Sequence, residues 1–397
     1  MKVILFVTGF PDVRRPNLGV FNQRTAMELA RRVNLTVIVP MAIKPGRPML
    51  TVDNRKDMAV VRIAGPVIPR ASRLTLLLYR SFTAPRLAPF LAKADIVHSV
   101  GVEFAGLLAG SLREKLHYRH LTQVINDLRY LSKPSFDQYP YLATLRRNLH
   151  GIVCNSHTLE ETARKYFPSV DIIRTAYRGT DLGFFTPKAA VAEASGKMVP
   201  MRFLYLGGLP PYPDRTFGVN TKGGVTLMEA WKLGEEQFRS AGSTLFFGGP
   251  CSTSDLVRTW IRRLKYPDAV RCIGEVPSAE VPTHLRAAGV VVIPSMEEGC
   301  PNLAFESLAC GKPVLASNIG PLAEVVSDGV CGWTFPAGDI NALKELMVKY
   351  SRPEQHETIR AMGMAARKRA ECHFDCRDYI QRLVEIYEEL TIKYRKV

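Results

Sequence analysis

Residues 289–320 read GVVVIPSMEEGCPNLAFESLACGKPVLASNIG, and this stretch decides the fold. A continuous apolar run at 289–293 ends at a proline, which is typical of a buried parallel strand. Residues 301–309 then predict a helix, with a proline in its first turn and Gly311 at its end. The loop between them, 295–300, is expected at the carboxyl end of a sheet, where open α/β sheets bind ligands and helix N-termini attract phosphate.

Two carboxylates, Glu298 and Glu306, lie eight positions apart in this loop and helix. Taken alone, such a pair is explained by a solvated acidic face. Its context is a strand, Pro-Ser, Glu-Gly, Pro-Asn, Glu, a small-residue helix and a Gly-Lys-Pro-Val strand. This order resembles the Glu-x7-Glu signature of retaining GT-B glycosyltransferases, specifically glycosyltransferase family four. The resemblance implies that Glu298 contacts the transferred sugar and Glu306 the ribose of a nucleotide.

Strand and helix patterns alternate along the rest of the chain, as in α/β proteins with parallel sheets. Apolar strand patterns occur at 3–7, 35–39, 95–98, 121–125, 151–154, 171–175, 202–206, 245–247, 269–273, 290–293 and 314–316. The Ala-rich passage 187–200 lacks an apolar period and predicts a linker. The resemblance implies a GT-B fold, with two Rossmann-like doubly wound domains at 1–186 and 187–374 that face a central cleft. A final helix, at 375–397, is then expected to cross back to the first domain.

Basic residues are concentrated in the first half of the chain. Residues 1–180 hold 27 Lys and Arg against 12 Asp and Glu, whereas residues 181–397 hold 26 against 25. This asymmetry predicts that one domain meets an anionic bilayer face or an anionic lipid- or glycan-linked acceptor. No recognition motif accompanies the charge, which argues against nucleic acid. The Arg-edged apolar stretch 70–93 fits a packed helix as well as a membrane-surface helix.

Length and composition bound the class of protein. A chain of 397 residues suggests two or three domains, and no apolar run is long enough to cross a bilayer. Residues 1–10 predict a strand rather than a signal peptide. The eight scattered cysteines are typical of free thiols in a cytosolic protein. We therefore expect a cytoplasmic protein. Because its first half is basic, we also expect that it can bind peripherally to the inner face of the membrane.

Further motifs extend the resemblance through the first half. The loop after the first strand delivers Gly19 just ahead of a helix, and a glycine there permits phosphate to approach the backbone closely. In the family, acceptor and donor meet at this loop, so Arg14 and Arg15 are candidates to hold an anionic acceptor; plain surface charge explains them equally well. Asn126 follows a strand where the family commonly has His. An amide cannot titrate near neutral pH, which suits a retaining reaction in which the departing diphosphate takes the acceptor proton.

The passages 95–98 and 178–181 match two other family elements. The first is a strand ending in His98, which we interpret as a hydrogen-bonded structural group. The second is an Asn-Gly-Val-Asp element that reads Arg-Gly-Thr-Asp here.

The second half opens with Gly207 and Gly208 after a strand, and Lys222 stands at the start of a glycine-led helix. A lysine beside free N–H groups is suited to bind a diphosphate, because it combines a positive charge with hydrogen-bond donors. The alternative interpretation is an ordinary surface lysine. The family usually has Arg at the position of Gly208. Our hypothesis is that Arg215, in the Pro-rich insertion 210–221, replaces it, and that an arginine introduced at 208 would partly restore the turnover of an Arg215→Ala variant.

The same resemblance places the nucleotide against a strand end at Ile273 and against the loop–helix junction. The junction residues are Glu298, Gly299, Cys300, Pro301, Asn302, Leu303 and Glu306. Glu298, Asn126 and Lys222 are the candidate catalytic residues. Because no Asp-x-Asp motif occurs, no metal is predicted, and no cofactor is expected beyond the nucleotide-diphosphate sugar as co-substrate.

The expected activity is retaining transfer of a sugar from a nucleotide-diphosphate sugar to a hydroxyl acceptor, favouring a polyprenyl-linked or anionic cell-envelope precursor. Two alternatives stay open. One is a sugar-nucleotide epimerase of the same fold. The other is a non-catalytic, basic peripheral membrane protein with a degenerate GT-B fold. The joint presence of Glu298, Lys222 and Glu306 argues against degeneration.

Overall fold

Two β-sheets organise the chain, one in each of two units. The computed structural model describes residues 1–15, 18–69, 71–126, 128, 131, 140–187, 200–209, 220–299 and 301–394. Unit 1 comprises Met1–Tyr177 and Arg377–Val397, and unit 2 comprises Arg178–Cys376. The division falls earlier than the expected boundary at 186. The turn at 178–181 is held inside unit 2, because the Thr180 amide donates to the Phe374 carbonyl.

Unit 1 contains an eight-stranded sheet. Its strands are β1 (Lys2–Phe6), β2 (Asn34–Ala42), β3 (Leu50–Asn54), β4 (Met58–Gly65), β5 (Ile96–Val100), β6 (Arg119–Val124), β7 (Gly151–Cys154) and β8 (Ile172–Thr175). Its helices are α1 (Val20–Ala30), α2 (Ser72–Leu91), α3 (Leu107–Leu116), α4 (Pro140–Asn148) and α5 (His157–Tyr166), and a π-helical turn at Val102–Gly106 leads into α3.

The strand order in unit 1 is β3-β4-β2-β1-β5-β6-β7-β8. All pairs are parallel except β3 with β4, which is antiparallel. The sequence patterns above do not predict β3 or β4. β3 is an exposed, polar edge strand, so its hydrophobic signal is weak. The order reverses between β1 and β5, which makes their carboxyl ends the topological switch point of this sheet.

The last helix of the chain spans Cys376–Lys393 and is labelled α14, because the helices of unit 2 precede it in sequence. It packs its apolar face into the core of unit 1. The Tyr387 hydroxyl lies 2.7 Å from His98 Nδ1, and Gln123 donates to the Tyr379 hydroxyl at 2.9 Å. His98 lies inside β5 rather than at its end and is fully buried. Its contact with Tyr387 is that of a structural group.

Unit 2 contains a six-stranded parallel sheet in the order β11-β10-β9-β12-β13-β14. The strands are β9 (Arg202–Tyr205), β10 (Thr244–Gly248), β11 (Val270–Gly274), β12 (Val290–Ile293), β13 (Val314–Ser317) and β14 (Gly332–Phe335). The helices are α6 (Gly224–Leu233), α7 (Glu235–Ser240), α8 (Asp255–Arg262), α9 (Val281–Ala287), α10 (Asn302–Ala309), α11 (Gly320–Val325), α12 (Ile340–Tyr350) and α13 (His356–His373), with short 3-10 turns at Pro267–Ala269 and Pro353–Gln355.

The predicted class, two successive Rossmann-like α/β sheets, is confirmed. Most of the predicted linker, 188–199, lies outside the described residues. Among the helices that the structure describes, none combines the length and apolarity needed to cross a bilayer.

Candidate functional site

The switch point of unit 2 lies between β9 and β12. These strands pair in parallel, with Val290 opposite Phe203, and neighbouring strands continue outward from each of them. Their following loops, 206–209 and 294–299, therefore emerge side by side at the carboxyl edge of the sheet. A backbone hydrogen bond from Met296 to Thr221 ties the β12 loop to the segment that leads into α6. This contact brings together two stretches that are far apart in sequence.

Lys222 and Glu298 form an ion pair at this edge. Lys222 Nζ lies 2.7 Å from Glu298 Oε1, and the Ser295 hydroxyl donates to the same oxygen at 2.9 Å. The Glu298 side chain is 11% exposed, whereas that of Lys222 is 40% exposed. A shielded carboxylate thus faces a cation that can still reach a ligand. Both residues are among the predicted site residues, but the sequence predicts neither their pairing nor the role of Ser295.

Tyr205, at the end of β9, links the two glycine-containing loops. Its hydroxyl donates to the Gly208 carbonyl at 2.8 Å and to the Lys222 carbonyl at 3.1 Å. Burial raises the pKa of Tyr205 well above its usual value, and the nearby Glu298 carboxylate raises it further, so the phenol remains a donor. Sequence reasoning misses this residue, because an aromatic at a strand end is first of all a core residue.

Gly208 and Gly223 have left-handed backbone conformations that leave no room for a side chain. Gly208 has φ +63°, and a Cβ built on it would lie 2.1 Å from the Pro250 carbonyl oxygen. At Gly223, with φ +71°, the distance to the Pro294 carbonyl oxygen would be 1.7 Å. The expectation that an arginine at 208 would restore a clamp is therefore wrong for this backbone. Gly207 is similarly crowded, by the Tyr205 hydroxyl.

The start of α6 is capped by Asn220, which sequence reasoning also misses. Asn220 Oδ1 accepts from the backbone amides of Val225, at 2.9 Å, and Thr226, at 3.4 Å. Its amide nitrogen donates to the Thr226 hydroxyl at 3.0 Å. The expectation of free N–H groups beside Lys222 is thus wrong for these two amides. Two amides of this helix end are therefore already bonded, and the Lys222 side chain supplies the positive charge of the turn.

The loop–helix junction after β12 has the predicted form, with α10 beginning at Asn302 directly after Pro301. Glu306 and Leu303 are half-buried on this helix, and Gly299 is buried in the preceding loop. Cys300 and Arg215 lie outside the described residues. Ile273 belongs to β11, two strands from β9, where it packs against Gly248. In the described part of the chain, no group of three His, Cys, Asp or Glu side chains is placed to hold a metal.

In unit 1, Gly19 occupies a position like that of Gly223. It precedes α1 with φ +69°, and its Cβ would lie 2.3 Å from the Gly9 carbonyl oxygen, which also accepts from the Asn22 side chain at 2.8 Å. Asn126 is exposed just after β6. Asp12 accepts hydrogen bonds from the backbone amides of Arg14 and Arg15, which folds the loop after β1.

The predicted helix at 70–93 is α2, which packs against the sheet of unit 1. Tyr79 and Leu87 are buried against the sheet, whereas Leu74, Leu77 and Leu78 are 45%, 46% and 38% exposed. One face of the helix therefore packs in the core, and three leucines lie at the surface.

Comparison with known proteins agrees with this geometry. Residues 219–369 match the family described as glycosyl transferases group 1. The amylovoran biosynthesis glycosyltransferase AmsK of Erwinia amylovora is 25% identical to this chain, over 92% of this chain and 83% of AmsK. Sucrose-phosphate synthase from Thermosynechococcus elongatus has a TM-score of 0.74 at 19% identity, covering 99% of this chain and 100% of that one. HepE of Anabaena, solved in complex with UDP, has a TM-score of 0.72 at 15% identity, covering 98% and 100%. Residues 219–369 are therefore similar to the group 1 glycosyl transferases, and the chain has the fold of GT-B proteins.

Proposed function

We propose that the protein transfers a sugar, with retention of anomeric configuration, from a nucleotide-diphosphate sugar to a hydroxyl acceptor. The observation that carries the proposal is the Lys222–Glu298 pair at the switch point of unit 2. A cation and a carboxylate in contact there match the two halves of such a donor, since one half is a diphosphate and the other a polyhydroxylated ring. HepE, which shares the fold, binds UDP, and this supports a uridine nucleotide as the first donor to test.

Lys222 and Glu298 have separate tasks in this proposal. Negative charge develops on the diphosphate as the glycosidic bond breaks, and Lys222 stabilises it electrostatically. Glu298 accepts hydrogen bonds from hydroxyls of the transferred sugar, while Ser295 keeps one carboxylate oxygen in place. The two charges satisfy each other in their ion pair. The donor replaces one ion pair with two sets of charge-assisted contacts.

Glu306 binds the ribose from α10, and no protein base is assigned to the acceptor proton. Asn126 is exposed after β6 and positions a hydroxyl through its amide, because it cannot titrate near neutral pH. The departing diphosphate takes the proton instead. This assignment needs no metal.

The acceptor is proposed to be anionic or polyprenyl-linked, as in the building of a cell-envelope polysaccharide. Nearly all the excess positive charge lies in the first 180 residues, and α2 exposes three leucines there. AmsK is named for amylovoran biosynthesis, which supports a glycan product. Basic and apolar surface together suit peripheral docking on the anionic inner face of a membrane from the cytoplasm.

The test is to incubate the enzyme with uridine, guanosine, adenosine and thymidine diphosphate sugars and a panel of acceptors. Proton NMR of the first product gives the anomeric configuration. Retention in the initial product supports the proposal, and inversion overturns the mechanism. Epimerised donor appearing without any acceptor would favour the epimerase alternative.

Calorimetry with the nucleoside diphosphate alone separates the two carboxylates. Glu306→Ala should weaken binding by about 1.5–3 kcal/mol, because a charged hydrogen bond to the ribose is lost. Glu298→Ala should bind the diphosphate as well as the parent, since its partner, the sugar, is missing from this ligand. Unchanged binding in both variants would contradict the role assigned to Glu306.

A further inference from the structure

Unit 1 contains a basic cavity that the proposed chemistry of unit 2 does not use. It has a volume of about 300 Å³ and lies at the carboxyl ends of β1, β2 and β4. Its apolar floor includes Phe10, Val39 and Met41, and four cations line it: Arg15, Lys44, Arg47 and Arg62. We call these residues the basic cavity. Its volume is at the lower end of the range for small-molecule sites.

The fold sets the backbone positions of three of the cations, whereas the Arg15 side chain is 57% exposed. Arg62 belongs to β4, opposite Val39 of β2, and its guanidinium donates to the Pro11 carbonyl at 2.9 Å. Lys44 and Arg47 flank a turn closed by the bond from the Arg47 amide to the Lys44 carbonyl. That turn requires the left-handed Gly46, with φ +72°. Arg47 and Arg62 are half-buried, so they are not simply extended into solvent.

One carboxylate offsets these charges only in part. Asp12 lines the cavity and pairs with Arg15 at 3.4 Å. Desolvation acts to raise the pKa of Asp12, but hydrogen bonds from the Arg15 and Arg14 amides and the Arg15 charge hold it below its usual value. Asp12 is therefore ionised at neutral pH, and the cavity keeps a net charge of +3. Among the described residues, no carboxylate forms an ion pair with Lys44 or Arg47.

Like charges collected in a concave site repel one another, and an anion that enters relieves the repulsion. Arginine forks and a lysine suit the oxygens of phosphate. We propose that the basic cavity binds the phosphate or diphosphate group of the acceptor substrate. The binding of phosphate does not depend on the glycosyl transfer proposed above, but the identification of its carrier as the acceptor does.

The position of the cavity supports the acceptor as the carrier. The loop after β1 supplies Thr8, Phe10, Asp12, Arg15 and Leu18 to its wall, and the same loop leads through Gly19 into α1. The cavity opens on the β2 side of β1, whereas the switch point of this sheet lies on the β5 side. A phosphate held here leaves the switch point free for the part of the acceptor that reacts.

The test measures binding of inorganic pyrophosphate by isothermal titration. It is made in a Lys222→Met background, which removes the cation of the proposed donor site. Lys44→Gln/Arg47→Gln should raise the Kd for pyrophosphate about tenfold or more, since two charge-assisted contacts are lost. The matched control is Lys115→Gln/Lys165→Gln, which removes two exposed charges elsewhere on unit 1 and should leave the Kd within about twofold. Equal Kd values in the two double variants would overturn the proposal.

Two further measurements complete the test. Thermal unfolding and nucleoside-diphosphate binding, measured with Lys222 intact, should be unchanged in Lys44→Gln/Arg47→Gln. A loss of both would mean that this variant is misfolded. Arg47→Lys then replaces it, with a smaller expected loss of pyrophosphate affinity. Competition experiments identify the molecule that carries the phosphate. Two competitors are added against pyrophosphate: a hexose phosphate, which represents a soluble acceptor, and phosphatidylcholine vesicles with a polyprenyl phosphate, which represent a lipid-linked acceptor. Competition by neither would overturn the acceptor assignment. Pyrophosphate binding by the parent without sugar transfer from any nucleotide-diphosphate sugar would instead overturn the proposed function and leave the basic cavity standing.

Discussion

The two units contain the same kind of glycine turn in different electrostatic surroundings. In each, a glycine with a left-handed backbone precedes a helix and lies against a carbonyl oxygen, of Gly9 for Gly19 and of Pro294 for Gly223. Beside Gly223, Lys222 is neutralised by Glu298. Beside the Gly19 loop, the basic cavity keeps an excess of positive charge. In the two proposals, one unit exchanges an internal ion pair for a ligand, and the other attracts an anion directly.

The largest expected effect concerns the glycine turn itself. Gly223→Ala should destabilise the fold by more than about 3 kcal/mol, because the left-handed strain adds to a Cβ clash that requires the Pro294 carbonyl to move. Gly329→Ala is the matched control. Gly329 has the same φ of +71° with nothing within 4 Å of its Cβ, and should cost about 1–2 kcal/mol. Urea unfolding measures both.

The same design applies to unit 1, with Gly19→Ala against Gly46→Ala. Gly46 has φ +72° and open space around its Cβ, whereas a Cβ at Gly19 would lie 2.3 Å from the Gly9 oxygen. Equal losses within each pair would show that the conformation alone, and not the close approach of the backbone, makes glycine necessary.

The second expected effect is on turnover. Glu298→Gln should lower kcat about a hundredfold, as the loss of one preorganised transition-state contact typically does. It should leave nucleoside-diphosphate affinity equal to or higher than the parent's, since Lys222 is released from its partner. Lys222→Met should lower both, because it removes the cation and leaves Glu298 facing the diphosphate. Steady-state kinetics with calorimetry separates these outcomes, and a shared loss of affinity would mean that the pair acts only as a structural bridge.

Sequence patterns predict the elements of this site better than its contacts. The strand, loop and helix from 289 to 309 follow from apolar runs punctuated by Pro and Gly. The Lys222–Glu298 pair spans 76 positions, and only the pairing of β9 with β12 brings its two ends together. The Tyr205 hydroxyl is invisible to a pattern that scores the residue as apolar. β14 is missed because Gly332–Phe335 contains a glycine and a threonine and forms no continuous apolar run.

The third prediction concerns acid, and it distinguishes the units again. His120 is fully buried in β6, and burial, together with the nearby His150 and Arg113, lowers its pKa to about 3. The unfolded chain therefore binds the proton more readily, so His120 supports stability above pH 6.5 and the support falls as pH drops towards 3. At pH 5 the loss from His120 is about 2 kcal/mol.

All three tryptophans, Trp231, Trp260 and Trp333, lie in unit 2, so their fluorescence reports that unit. Acid titration should reduce far-UV circular dichroism before it changes tryptophan fluorescence. In His120→Gln the dichroism change should move to lower pH. Coincident transitions that the substitution does not shift would contradict the assignment of acid sensitivity to this histidine.

The smallest expected effect is at the exposed face of α2. Sedimentation with anionic vesicles should show binding at low salt that fades as salt rises, because each basic residue near an anionic surface contributes about 1 kcal/mol and salt screens it. Leu74→Ser/Leu77→Ser should weaken binding at every salt concentration, since the apolar contribution is not screened. Leu233→Ser/Leu256→Ser removes two exposed leucines of unit 2 and serves as the control. If both pairs bind equally, α2 is not the docking face. If the parent binds neutral vesicles as well as anionic ones, the positive charge of the first 180 residues serves a soluble anionic acceptor through the basic cavity instead.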